Sequence, residues 1–432
     1  MQPTKKFLGV TNQSVRAMNT RETKKQELLS YIKQYGTGSL AYSALQEGLR
    51  DYQEQGHGFV PHAPVDKNNG TTLCLSDPIC AQDSKKALLE GFVRNYKNPV
   101  FIHVSKETAE VLHAMGFFIN EMGTETIVNV QDFSLKGSKK EFLRSQRNRA
   151  VKDDVQVVEA TAGEVSAETM RAISDAWMKN KAVSSNELSF LARPAVYEEE
   201  PDVRRFFAIK DNVVIGFVFF DPMYKDGKVI GYLANFLRTC VQTSYSVCDF
   251  IIVEAIARFK VEGMQFVSLG FSPFADVDDN GEFRFSQPLK SIFKYSFDKA
   301  NHLYAFKQLS FHKQRYRPGM DGTVEVKVYC ASKSKLPLRS LYACVRKMGI
   351  NPVSQTARHA CDVAKQRLTI PPMTTRPFAK GALAMRAAAA SLLFLLTSAM
   401  GVSAKEVEPS QLAPQLSTAT PRKTAEIMLP SN

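Results

Sequence analysis

The sequence predicts a mixed α/β fold laid out in two successive halves and followed by a basic tail. Three observations lead there. Short apolar runs alternate with helical stretches twice over, before and after the basic segment "SKKEFLRSQRNRAVKDD". A hydrophobic content of 44% with 23% charged residues over 432 positions allows one large buried core or two ordinary ones. The net charge of +13 is concentrated, because from Ala331 to Arg386 eleven Lys or Arg stand against the single acid Asp362.

Residues 1–22 are polar and basic without the apolar centre of an export signal, so a disordered N-terminus and a cytoplasmic location are expected. "TKKQELLSYIKQ" predicts a helix over 23–34, ended by Gly36 and Gly38, with a second helix near 43–53. Strand and helix signals then alternate through "GFVPHA", "TTLCLSD", "SKKALLEGFVRNY", "PVFIHVS", "KETAEVLHAMG" and "ETIVNVQDF", closing a first domain over 23–150. A second domain over 151–332 repeats the rhythm from "VQVVEA" to "MQFVSLGFSP". Within it, two adjacent strands at 213–221 and 228–238 lead through a loop into a long helix and then a strand at 264–271. That order is the one found in the acyltransferase core of the GNAT type, whose splayed central strands admit an ester or thioester donor. Many α/β folds share it, and the residues must decide the chemistry.

On the long helix Asp249 falls on the face of Ile252, Val253, Ile256 and Phe259, opposite Glu254, Arg258 and Glu262. A carboxylate there needs a partner to offset desolvation. It either complements the helix dipole or lies on the floor of a cleft, orienting an amine or binding an arginine. The loop before it, "LRTCVQTSYSVC", contains no glycine to bare backbone N–H groups for a pyrophosphate, which disfavours coenzyme A. Arg238, opening this loop, is a candidate substrate contact.

The segment "LYAFKQLSFHKQRYRPGM" mixes cations with aromatic rings inside the chain. As a strand, it would put Phe311, Lys313 and Arg315 on one face, two cations that repel unless an anion lies between them. The plain alternative is a charged edge strand. The chemical one is a site for a phosphate or for the oxyanion of acyl transfer.

Seven scattered cysteines without a CxxC pair fit a reducing compartment, and seven histidines without ligand spacing give no metal site. The basic stretch 333–386 is expected as a linker able to hold tRNA or anionic headgroups, or as a solvated appendage. An uncharged run over 387–404 is marginal for a membrane span, and 405–432 is expected as a disordered tail. If the run inserted, the flanking charges would keep the main body on the cytoplasmic side, peripheral to or anchored in the inner face of the membrane.

In this order, "GFVPH", "LCLSDPI", "FSLKGSKKEFLRSQRNRAVKDDVQVVEA", "DAWMKNKAVSSNELSFLARP", "CDFIIVEAIARFKVEGMQFVSLGFSP" and "LYAFKQLSFHKQRYRPGM" resemble the C-terminal catalytic region of phosphatidylglycerol lysyltransferases, the DUF2156 family, over roughly residues 25–330. The resemblance implies two tandem GNAT-like domains. It also implies transfer of an aminoacyl group from aminoacyl-tRNA to a lipid hydroxyl on an anionic phospholipid at a membrane surface, with no cofactor beyond the donor. The related Fem-type transferases keep a peptide amine open as acceptor. By position, Arg144 and Asn148 match the family's basic "LR...N" helix, and Glu187 matches an acid that would meet the aminoacyl ammonium. Asp249 matches the acid opening the long helix, while Lys313 and Arg315 match the basic pair of an "FKxKFxPxW" element. Met320 replaces the terminal aromatic, and "LGFSPF" stands for "LGxAPL". Asp249, Lys313 and Arg315 are thus the catalytic candidates, with Glu187, Arg144, Asn148 and Arg238 as substrate contacts. A thioester-dependent N-acyltransferase and a non-catalytic RNA or membrane adaptor are the alternatives.

Overall fold

The computed structural model describes residues 12–54, 56–65, 71–180 and 187–359. Helix α1 (Asn12–Tyr35) starts within the stretch expected to be disordered. The helix expected near 43–53 is instead a single 3-10 turn at Tyr42–Leu45 followed by a strand, β1 (Arg50–Glu54). Gly48, at φ +84°, breaks the path between them, and Arg50–Glu54 pairs antiparallel with β2 (Gly58–Pro64). Next come β3 (Thr72–Leu75), the short β4 (Ile79–Cys80), α2 (Lys85–Asn95), β5 (Pro99–Val104), α3 (Lys106–Ala114) and β6 (Phe118–Asn129).

After α4 (Glu141–Lys152) the second half runs β7 (Gln156–Glu159), α5 (Ala167–Asn180), β8 (Arg204–Lys210), β9 (Val213–Lys225) and β10 (Lys228–Thr239). It continues through α6 (Val247–Val261), β11 (Phe266–Pro273), α7 (Gln287–Lys299), α8 (Phe306–Gln314), β12 (Thr323–Ser332) and α9 (Leu338–Lys347).

The two expected domains share one 12-stranded sheet in the order β1-β2-β3-β5-β12-β6-β11-β10-β9-β8-β7, with β4 on β2. Strand β12, from the second segment, lies between β5 and β6 of the first. Its burial against both neighbours joins the halves into one body instead of leaving a boundary at residue 150. The first stretch of the expected linker is helical too. In α9 Cys344 is buried and packs with Leu341 and Met348 on the core beneath β3, because the apolar positions of "LRSLYACVRK" recur at helical spacing. The run at 387–404 and the tail beyond it lie outside the described residues. Among the described residues no helix is long and apolar enough to cross a membrane.

Strands β10 and β11 fix the site. They pair in parallel only from Gly231 to Leu233 against Phe266 to Ser268 and then part. Both are bent where they part. β10 carries an extra residue at Asn235 relative to β9, and the register of β11 on β6 slips between Ser268 and Phe271, where Gly270 takes φ +81°. Helix α6 covers one face of this region, with Phe250, Ile251, Ile256 and Phe259 in its core.

Candidate active site

The opening between β10 and β11 is a cavity of about 160 Å³. Asn235 and Leu237 of β10, Gly270 and Pro273 of β11, and His312 and Lys313 of α8 line it. Leu188 and Leu191, from the segment after α5, close another side.

The segment read as a strand is helix α8. Lys313 is 2% exposed whereas Phe311 is 65% exposed, so two positions apart point opposite ways, which a strand forbids. Phe306, Lys313 and Tyr316 turn inward at helical spacing, and Pro318 follows the end of the helix. The two cations are therefore separated. Lys313 faces the cavity, where burial pulls its ammonium down to about 7, against the opposing pull of Glu125 and Glu325. Arg315 lies between the rings of Phe142 and Phe311, 4.5 and 5.2 Å from their centroids, and its Nη1 donates to Asp249 Oδ2 at 3.1 Å.

Asp249 is fully buried, as the apolar face of its helix predicted. It sits in the first turn of α6, its N–H donating to the capping Ser246 Oγ at 3.2 Å. Oδ1 accepts from Tyr316 Oη at 3.0 Å and lies 2.8 Å from His312 Nε2. Burial pushes this carboxyl up, but His312, Ser246 and Arg315 together outweigh it and hold it below the usual aspartate value. Asp249 thus stands in the first turn of α6, as the helix-dipole reading has it, and also binds an arginine. His312 and Tyr316 were missed by sequence reasoning. Their signal was the i, i+4 spacing that brings both to one carboxylate, and the strand reading concealed it.

A second polar layer behind Lys313 was also missed. Glu125, on central strand β6, accepts from Ser268 Oγ at 2.5 Å, and Gly270 N–H donates to the same Oγ at 2.9 Å. His103 Nε2 lies 3.7 Å from Glu125, and burial keeps that imidazole below its usual value. Glu125, a glutamate within a buried strand, was the available cue.

Glu187 and Arg238 are brought together, but onto each other. Oε1 accepts from Nη2 at 2.7 Å, and the guanidinium lies 3.8 Å from the centroid of Trp177 and 3.7 Å from that of Phe236. Their neighbours Leu188 and Leu237 reach the cavity. Arg144 and Asn148 lie elsewhere, in a cleft of about 460 Å³ between α4 and α6 whose floor includes Leu135 and Ile256. Arg144 is anchored there by the carbonyls of Leu135 and Gly137 at 2.7 and 2.9 Å.

A parallel pair that splays around a cavity, backed by a long capped helix, defines a GNAT-like acyltransferase fold. Within that class, the chain belongs to the family described as phosphatidylglycerol lysyltransferase, C-terminal, which it matches over residues 29–331. It is 21% identical over 304 residues to the phosphatidylglycerol lysyltransferase of Bacillus subtilis (strain 168), covering 69% of this chain and 34% of that protein. It is 24% identical over 261 residues to the phosphatidylglycerol lysyltransferase of Staphylococcus xylosus, covering 58% and 30%. The chain thus spans about a third of the length of these curated relatives. In fold it resembles the structure of L-PGS from Bacillus licheniformis, with a TM-score of 0.60 at 18% identity, covering 75% of this chain and 96% of that one.

Proposed function

We propose that this chain transfers an aminoacyl group from aminoacyl-tRNA to the hydroxyl of an anionic lipid such as phosphatidylglycerol. The observation that carries the reading is Lys313, a buried lysine on the wall of the cavity between β10 and β11, in a chain of this family. An aminoacyl ester is already activated, so the reaction needs no cofactor, and the protein's tasks are orientation and oxyanion stabilisation. Burial that brings the Lys313 ammonium down to about 7 leaves it able to exchange its proton near neutral pH. Negative charge growing on the ester carbonyl beside it would draw the proton fully onto Nζ, so that the stabilisation is greatest where the charge is greatest.

Arg315 acts at one remove in this reading, by neutralising Asp249 instead of meeting substrate. The Glu187–Arg238 pair borders the cavity, where it is suited to the donor's ammonium and backbone. The cleft of Arg144 and Asn148, with Lys136, Arg147 and Lys260 around an apolar floor, suits the phosphate-bearing substrate. Association with tRNA and with a membrane surface is expected to weaken as salt rises.

The test is transfer of labelled amino acids from charged total tRNA into the organic-extractable fraction of phosphatidylglycerol liposomes, with and without ribonuclease pretreatment. Label dependent on intact tRNA is the expected result, and its identity names the amino acid. No transfer from folded protein would overturn the reading in favour of a thioester donor or an adaptor.

A further inference from the structure

His312 stands on the cavity wall next to Lys313, and the reaction above leaves it without a task. Its ring is held from behind. Nε2 lies 2.8 Å from Oδ1 of Asp249, a carboxylate with no exposed surface, while 24% of the His312 side chain remains exposed. The carboxylate is itself fixed by Arg315 Nη1 at 3.1 Å and Tyr316 Oη at 3.0 Å, and its own N–H is capped on Ser246. An ionised carboxylate only accepts hydrogen bonds, so the neutral imidazole facing it carries its proton on Nε2. The lone pair is then on Nδ1, in a residue that lines the cavity. The charged and titratable groups around the ring are Asp249 from α6, Lys313, Arg315 and Tyr316 from its own segment, and Tyr304 on the cavity wall.

We infer that His312 is the general base of the transfer, with Asp249 as the residue that orients it. This rests on the reading of the chain as an aminoacyl-ester transferase. The acceptor hydroxyl gives its proton to Nδ1 as its oxygen bonds to the ester carbonyl carbon. The bond from that carbon to the ribose oxygen of the tRNA then breaks, and the departing oxygen takes the proton from Nδ1. No oxidant, reductant or further reactant is needed. Lys313 faces the carbonyl oxygen and His312 the hydroxyl, giving one wall a cation and a base side by side.

The test uses the full chain with histidines labelled by ¹⁵N, in wild type, His312→Gln and Asp249→Asn. Glutamine can still donate to Asp249, so H312Q keeps the buried carboxylate partnered while removing the base. With charged tRNA and phosphatidylglycerol liposomes, kcat is expected to fall about 100-fold or more in H312Q, with KM for lipid within about twofold. The ring nitrogen shifts, assigned by the resonance lost in H312Q, are expected to show a protonated Nε2 and a bare Nδ1, a pattern disturbed in D249N. Retention of kcat within about threefold in H312Q, or a proton on Nδ1 in the neutral wild type, overturns the inference. A wild type that transfers to no lipid refutes the lipid reading instead. The tautomer and the release of amino acid from charged tRNA to water, wild type against H312Q, then decide the base.

Discussion

Lys313 Nζ lies 3.8 Å from the point where a β-carbon on Gly270 would sit, so the buried ammonium packs over the one bend of β11 that lacks a side chain. That bend, at φ +81°, opens the strand pair and makes room for the amine in the same step. Space is created for a charge in a place that charge disfavours.

The cost should be visible as a pH dependence of stability. Burial lowers the Lys313 value from 10.5 to about 7, so between those limits the unfolded chain binds the extra proton and stability rises with pH. Below about 7 the penalty is present in full, on the order of 3–5 kcal/mol. Lys313→Met is therefore expected to be more stable than wild type at pH 6.5, to lose the upward slope of urea-unfolding free energy between pH 7 and 9.5, and to have no transfer activity. A variant less stable than wild type at pH 6.5 would mean that the lysine is neutralised by a partner.

Asp249 should act in the opposite direction. Its folded value is depressed, so its contribution is complete above the ordinary aspartate range and disappears as pH falls through the folded value. Asp249→Asn removes charge-assisted bonds to His312 and Arg315 and is expected to cost about 1.5–3 kcal/mol at pH 7. The difference from wild type should shrink as pH drops below 4 in acid unfolding followed by circular dichroism. A constant difference down to pH 2 would show that the loss lies in packing.

Much of the chain was legible because its strands are long and apolar and its helices amphipathic. The hairpin of β9 and β10, helix α6 and strand β11 all fall where periodicity put them, and Asp249 is buried as its helical position required. What was hidden is tertiary. No local pattern says that β12 inserts between β5 and β6, because a strand's register partner is chosen by the rest of the sheet. Segment 303–320 misled because its inward face carries Lys313, a residue that polarity-based patterns assign to solvent. The Glu187–Arg238 pair depends on the segment after α5 folding back to β10, which no sequence spacing records.

The segment after α5 is tied down by a buried ion cluster whose loss should be severe. Arg193 Nη2 is 2.6 Å from Asp221 Oδ1 and its Nη1 is 2.8 Å from Glu200 Oε1, all three side chains being nearly inaccessible. Burial already holds Glu200 above the usual carboxylate value, with Arg193 opposing. Arg193→Ala strands two carboxylates together and is expected to cost about 3–5 kcal/mol in urea unfolding at pH 7. Part of this should return at pH 5, as one carboxyl takes up a proton. A loss that is the same at both pH values would assign the effect to the cavity left by the side chain instead.

Trp177 is the single tryptophan of the chain, and it lies on the Arg238 guanidinium that Glu187 holds, so its emission should report on this pair. If the pair receives the aminoacyl moiety, titration with amino acid methyl esters should change the emission saturably, most for the amino acid that the transfer assay identifies. Glu187→Gln should weaken that response while changing stability by less than about 1 kcal/mol, since Glu187 is about one-third exposed. Its transfer defect should appear as a raised KM for charged tRNA with kcat little altered, the pattern of lost uniform binding. A silent Trp177 in a protein that transfers normally would place the aminoacyl group deeper in the cavity, against Lys313 and away from this pair.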